Sequence, residues 1–170
     1  MAEQVLSPGF QLQSGKYRIL GMLGQGGFGI TYEAEQVSLG RKVAIKEFFM
    51  RGTCERNDET ASVTVPTKEN RPLVDRFRDK FIREAKTIAT MEHPHIVKIH
   101  DVFEENSTAY YVMESIPGGS LNTLVKTEVP LPEGVAIEYI KQIGEALSYI
   151  HEKNVLHLDV KPADFADLID

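Results

Sequence analysis

Apolar and polar residues begin to alternate at Tyr17, and they do so in three successive runs: YRILGMLG from residue 17, ITYEAEQV from residue 30 and KVAIKEFF from residue 42. Runs of this length, separated by glycine-bearing turns, predict strands. The first turn is the dense GQGGFG of residues 24–29; the second holds Gly40. Residues 50–70 lose the pattern and read as a long polar connection, in which SVTV could add a small strand. The period then changes. Phe77, Phe81, Ile82, Ala85, Ile88 and Ala89 recur at three- and four-residue steps, which predicts a helix. Pro72 suits its first turn, and it must end before Pro94. Two more strands, VKIHDVFEE and TAYYVMES, meet at Asn106 and Ser107. After IPGGS come a short helix, LNTLVKT, and a longer one striped by Ala136, Ile140, Ile143, Leu147 and Ile150.

This order predicts an α+β chain. Residues 1–16 form a loosely strapped leader, 17–115 a lobe of five antiparallel strands with one main helix, and 116–170 the start of an incomplete helical lobe. The net charge of −6 removes any electrostatic reason to bind nucleic acid or anionic lipid non-specifically. The basic residues between Arg71 and Lys86 alternate with acids and read as a solvated helix face. The single cysteine, Cys54, excludes a disulfide framework within the chain and reads as a loop thiol. No basic-then-apolar leader and no run of membrane-spanning length is present, so a cytoplasmic location is expected.

The residues that carry chemistry are grouped. Gly24, Gly26 and Gly29 give G-x-G-x-x-G, where missing side chains let backbone amides approach phosphates. A dinucleotide-binding loop opens onto a helix, whereas this one opens onto an alternating strand, which disfavours that reading. Lys46, in Val43-Ala44-Ile45-Lys46, places an ammonium beside apolar neighbours, suited to holding phosphates; Glu84, beside the apolar stripe of the main helix, is the candidate carboxylate to fix it. His93 and His95 read as helix-end and loop histidines, since no third ligand lies at useful spacing.

LGQGGFGITYEA, VAIK, FIREAKTIATMEHPHIV, AYYVMESIPGGSL and VLHLDVKP, in that order, resemble a eukaryotic-type serine/threonine protein kinase of the bacterial branch. The resemblance spans residue 17 to about residue 162 and implies a kinase-like fold that binds ATP and Mg²⁺ and acts on Ser/Thr hydroxyls of a protein substrate. It implies that Gly24, Gly26 and Gly29 cover the phosphates and that Lys46 pairs with them and with Glu84. Leu23, Thr31 and Ala44 would complete the nucleotide pocket, with Met113 at its back and the backbone of Glu114 and Ile116 on the adenine edge. Thr31 replaces the family's usual valine. Asp159 would orient the acceptor hydroxyl, Lys161 would stabilise the transferring phosphate, and His157 would pack beneath the site with Ile88.

The chain also departs from the pattern. Leu158 stands where many kinases carry arginine, and Asp164 where a metal-binding asparagine is usual. Asp164-Phe165-Ala166 lies too close to Asp159 to serve as the separate Asp-Phe-Gly segment. The sequence therefore reads as a kinase fragment, inactive by itself. Two alternatives stay open: a nucleotide-binding pseudokinase, and an interaction module without catalysis.

Overall fold

The computed structural model describes residues 4–117 and 131–156. The expected LNTLVKT helix lies outside them, as do His157, Leu158, Asp159, Lys161 and Asp164. The chain divides into two units. The first comprises residues up to Met91 together with Val97–Ser115; the second comprises Glu92–Ile96 and residues from Ile116 onward.

The first unit is built on strands β1 (Gln11–Leu12), β2 (Tyr17–Gln25), β3 (Gly29–Gln36), β4 (Arg41–Phe48), β7 (Ile99–Glu105) and β8 (Thr108–Glu114). They form one antiparallel sheet in the order β1-β2-β3-β4-β8-β7. The three alternating runs become β2, β3 and β4, and Gly40, at φ 60°, supplies the left-handed residue that turns the chain into β4. Helix α1 (Arg71–Ala89) carries Pro72 in its first turn and packs Phe77, Phe81 and Ile82 against the core.

Two segments read as connectors belong to that core. The leader adds the sixth strand: Leu12 pairs with Tyr17, and Leu6 and Leu12 are fully buried, so this segment is not loosely strapped. The connection after β4 forms a two-stranded ribbon, β5 (Glu55–Arg56) with β6 (Val63–Thr64), and buries Cys54, Ala61 and Val63. Burial pushes the Cys54 thiol upward, away from thiolate chemistry. Both segments are drawn in by the same need, since the apolar side chains of the sheet have to be covered.

In the second unit, helix α2 (Glu133–Glu152) buries Tyr139 and Ile150 but leaves Ile137 and Ile140 46% and 70% exposed. Glu92 N donates to Tyr149 Oη at 3.0 Å, the His93 ring lies 5.0 Å from that of Tyr149, and His95 Nε2 is 3.4 Å from Glu145. These contacts give both histidines structural tasks.

The six-stranded sheet curls until its two ends meet. Tyr17, at the start of β2, donates to Asp101 of β7 at 3.0 Å, and Lys16 Nζ reaches the same oxygen at 2.6 Å. Gln13 N donates to Glu105 at 2.8 Å, and the rings of Tyr17 and Phe103 stack in parallel at 6.0 Å. Burial alone would raise the Asp101 carboxyl, but the hydrogen bonds from Lys16 and Tyr17 outweigh it and hold it below its ordinary value.

Inside the curl sits a charged centre. Glu47 of β4 is fully buried and accepts hydrogen bonds from Arg56 Nη2 at 2.6 Å, Tyr32 Oη at 2.8 Å and Tyr110 Oη at 2.7 Å. Burial pushes both tyrosine hydroxyls well above the usual range, a shift to which the Glu47 charge adds, so they remain donors. Arg56 donates further to Ala61 O at 2.8 Å and Gln4 O at 3.1 Å, while Tyr32 Oη accepts from Leu6 N at 3.1 Å. One ion pair thus ties together the leader, the ribbon and three strands.

Two outcomes follow. Arg56→Met leaves a buried carboxylate without its cation and should destabilise the fold by roughly 3–5 kcal/mol, read by urea denaturation. Asp101 is charged in the fold below its ordinary value of 3.8, so its contribution is present above that pH and lost as pH falls through the lower folded value. Asp101→Asn should therefore be less stable than wild type at neutral pH, with the gap closing in acid. A constant gap from neutral pH to about pH 2 would refute this account of the closure.

Candidate functional site

Side chains alternate across a strand, and directly opposed residues of neighbouring strands share a face. On β4, Lys46 opposes Thr31 of β3 and Tyr111 of β8; two residues back, Ala44 opposes Glu33 and Met113. Gly24 of β2 opposes Thr31. Four residues singled out from the sequence, Thr31, Ala44, Lys46 and Met113, therefore stand in two adjacent rows on one face, with Gly24 closing the first row. Leu23 lies at a bulge of β2 and is 59% exposed.

The glycine loop is fastened at its tip. Gly26 N donates to Gly29 O at 2.9 Å. Beyond it, Phe28 O accepts from Phe49 N at 3.1 Å and Gly27 O from Arg51 N at 3.0 Å, which extends the β3–β4 ladder past its formal end. The Phe28 ring stacks on Phe77 of α1 at 5.0 Å. The three motif glycines differ in what surrounds them. A Cβ at Gly29 would stand 2.8 Å from the carbonyl oxygen of Glu47, an impossible approach to backbone. A Cβ at Gly24 would meet nothing, and one at Gly26 only Gly29 O at 4.0 Å. Gly29 is required by the fold, whereas Gly24 and Gly26 leave open space over the loop.

Lys46 Nζ makes no ion pair among the described residues and lies 5.9 Å from the centre of the Tyr111 ring, at the outer limit of a cation–π contact. The Tyr111 ring in turn meets Phe81 of α1 at 4.9 Å. Glu84 is not brought to Lys46. Its side chain is exposed, and its carboxylate lies 3.5 Å from Lys80, one helical turn away. The helix explains this. Phe81 and Ala85 point to the sheet, so Glu84 sits on the flank, within easy reach of an i,i+4 lysine. Among the described residues Lys46 is thus a cation without a carboxylate partner, beside open glycines.

Met113 is half-buried at the end of β8. Glu114 is held in place by two bonds with Lys98: its backbone N donates to Lys98 O at 3.0 Å, and its side chain accepts from Lys98 N at 2.8 Å. Ile116 begins the second unit. Asp159, Lys161 and Asp164 lie outside the described residues, and among the described residues no cluster of three His, Cys, Asp or Glu side chains could hold a metal. Sequence reasoning passed over Tyr111, although it lies two residues before Met113 and strand parity puts it on the same face. It also passed over Glu47 and Arg56 on the reverse side.

The comparisons with known proteins agree on one family. The protein kinase domain matches residues 17–166. The chain is 37% identical over 158 residues to the serine/threonine-protein kinase pkn2 of Myxococcus xanthus, covering 93% of this chain and 17% of that protein. It is 34% identical to PrkC of Bacillus subtilis, covering 88% of this chain and 20% of the relative, and 36% identical to PknD of Mycobacterium tuberculosis, with coverages of 93% and 22%. The chain thus spans about a fifth of the length of these curated relatives. The solved PpkA-294 apo form superposes with a TM-score of 0.83 at 28% identity, covering 94% of this chain and 56% of that one. The kinase domain of Mycobacterium tuberculosis PknI has a TM-score of 0.68 at 24% identity, a likeness of fold.

The glycine geometry makes a graded prediction. Gly29→Ala should destabilise the protein by about 1–3 kcal/mol, because backbone has to move. Gly24→Ala and Gly26→Ala should stay within about 1 kcal/mol of wild type in the same urea titration. Equal losses at all three positions would show that Gly29 is not packed as described.

Proposed function

Since the chain belongs to the protein kinase domain family, we propose that it forms the ATP-binding part of a serine/threonine protein kinase. The observation that carries this reading is the shared face. An open glycine loop, the Lys46 ammonium, which has no ion pair among the described residues, the small or branched Ala44 and Thr31, and the flexible Met113 stand in adjacent rows of one sheet. The glycine-loop amides and the Lys46 ammonium would neutralise the phosphates, while Leu23, Thr31, Ala44 and Met113 would enclose the base, with Glu114 and Ile116 offering backbone to its edge.

In this reading the acceptor serine or threonine oxygen attacks the γ-phosphorus. The bond to the β–γ bridging oxygen breaks, ADP leaves, and the hydroxyl proton passes to Asp159. Lys161 would offset charge on the transferring group. Asp164 is the residue of this chain proposed to hold Mg²⁺, which would supply positive charge to offset that of the phosphates. The acceptor would be a protein with an exposed Ser or Thr. No helix among the described residues is long and apolar enough to cross a membrane; a cytoplasmic setting is part of this proposal.

A second reading has its own support. Glu84 sits with Lys80 and not with Lys46, so the ion pair that phosphate transfer requires is not made. One experiment separates the two. In the full-length protein, Lys46→Met should abolish the rise in melting temperature produced by ATP. Asp159→Asn should keep that rise but lower γ-phosphate transfer to protein by at least about a hundredfold. ATP binding with no transfer by the wild type would establish the second reading, and unchanged transfer by Asp159→Asn would refute the first.

A further inference from the structure

The nucleotide face and the buried charged centre share one strand. Lys46 and Glu47 are consecutive on β4, so their side chains leave opposite faces of the same stretch of backbone. That stretch also supports the glycine loop. The point where a Gly29 Cβ would stand is 2.8 Å from Glu47 O, 3.5 Å from Lys46 Cε and 3.8 Å from Lys46 Cγ. The stem of Lys46 therefore lies along Gly29, and both rest on the backbone of Glu47. A sideways shift of Glu47 by a fraction of an ångström would displace the lysine and the loop together.

What prevents that shift lies on the reverse face. Tyr32 and Tyr110 belong to β3 and β8, the strands on either side of β4, and they grip the Glu47 carboxylate from both flanks. Arg56 closes the set from the ribbon. Its side chain is 3% exposed and its donors are engaged by Glu47, Ala61 O and Gln4 O, leaving it no contact with solvent or ligand. Lys46 has no ion pair of its own among the described residues, so its placement comes through the backbone.

We infer that Arg56 is a positioning residue for nucleotide phosphates, acting through Glu47 on Lys46 and Gly29. The inference rests on the ATP-binding reading above and assigns part of that site's geometry to the segment between β4 and α1. Its effect is specific to phosphates. Adenine and ribose would be met by Leu23, Ala44, Met113 and the backbone after β8, none of which is among the hydrogen-bond partners of Glu47 or Arg56. Loosening the Glu47 anchor should weaken the hold on the triphosphate while leaving the nucleoside nearly unaffected.

The test compares ATP with adenosine by isothermal titration on the full-length protein, at a temperature where circular dichroism shows each variant folded. Lys46→Met serves as reference and should lose most of the preference for ATP over adenosine. Arg56→Met should reduce that preference about tenfold, since a small misplacement of a charged clamp is costly. Arg56→Lys, which keeps the charge but fewer donors, should fall between Arg56→Met and wild type. Should Arg56→Met fail to fold, Tyr110→Phe removes one bond to Glu47 and carries the same comparison with a smaller drop. A folded Arg56→Met or Tyr110→Phe variant with the wild-type ATP-to-adenosine ratio would overturn the inference, even if it is less stable. Unchanged ATP affinity in Lys46→Met would instead remove the ATP-binding reading on which it rests.

Discussion

A fully buried carboxylate can persist only where every direction it faces is answered by a donor, and Glu47 is answered from three sides. Most of the first unit follows from meeting that demand. Arg56 has to reach the interior, so the chain after β4 folds back as a ribbon where a free loop would not do. The guanidinium has more donors than Glu47 can use, so it recruits Ala61 O and Gln4 O, and the leader comes with it. Tyr32 accepts from Leu6 N, which seats the leader a second time. The curl closed by Tyr17, Lys16 and Asp101 then shields the whole set from water.

The two faces of the sheet differ in kind. The reverse face has its side-chain charges and hydroxyls engaged with each other. The face toward α1 carries a lysine without an ion pair among the described residues, glycines with open space above them, and exposed Leu23 and Phe28. A binding face has to leave such groups free, at some loss of local stability, and a rigid scaffold behind it keeps them aligned. The Phe28–Phe77 stack and the extended ladder at Phe49 and Arg51 connect the two regimes, because they fasten the loop tip to α1 and to the start of the ribbon.

Local pattern made the elements legible. Period-two runs became β2, β3, β4, β7 and β8, and the three-to-four-residue stripe became α1 with its Pro72 start, because both depend on residues near in sequence. The family resemblance, not local pattern, singles out Thr31, Ala44 and Met113, and the strand pairing puts them on one face with Lys46. What stayed hidden depends on partners far apart. Alternation along IKEFF puts Glu47 on the same side as Ile45, but no local rule names Arg56 as its counter-ion, since Arg56 stands in a stretch rich in charge and threonine that reads as solvated. The leader is hard to read for a related reason: the alternation of Phe10 and Leu12 is too short to predict a strand by itself, and Pro8 and Gly9 separate it from Leu6. Glu84 illustrates the reverse limit. Adjacency to an apolar stripe put it near the sheet, yet its place on the helix flank left Lys80 nearer than Lys46.

An apolar residue at position 47 would fill the curl without desolvating a charge, and many buried ion pairs can be replaced in that way without loss of stability. What such a residue would not do is distinguish one register of β4 from the next. A slip by one residue exchanges the faces of every side chain on a strand. In this strand the slip would turn Lys46 into the interior against Arg56 and present the Glu47 carboxylate to the glycine loop, so that both ends of the error are electrostatically unfavourable. Val43, Ile45 and the aromatic pair Phe48-Phe49 are hydrophobic enough to tolerate either face, and burial alone discriminates weakly between the two registers. The three directional bonds to Glu47 discriminate strongly. They make the one register that points a lysine at the open glycines also the one in which no buried charge is left unpaired.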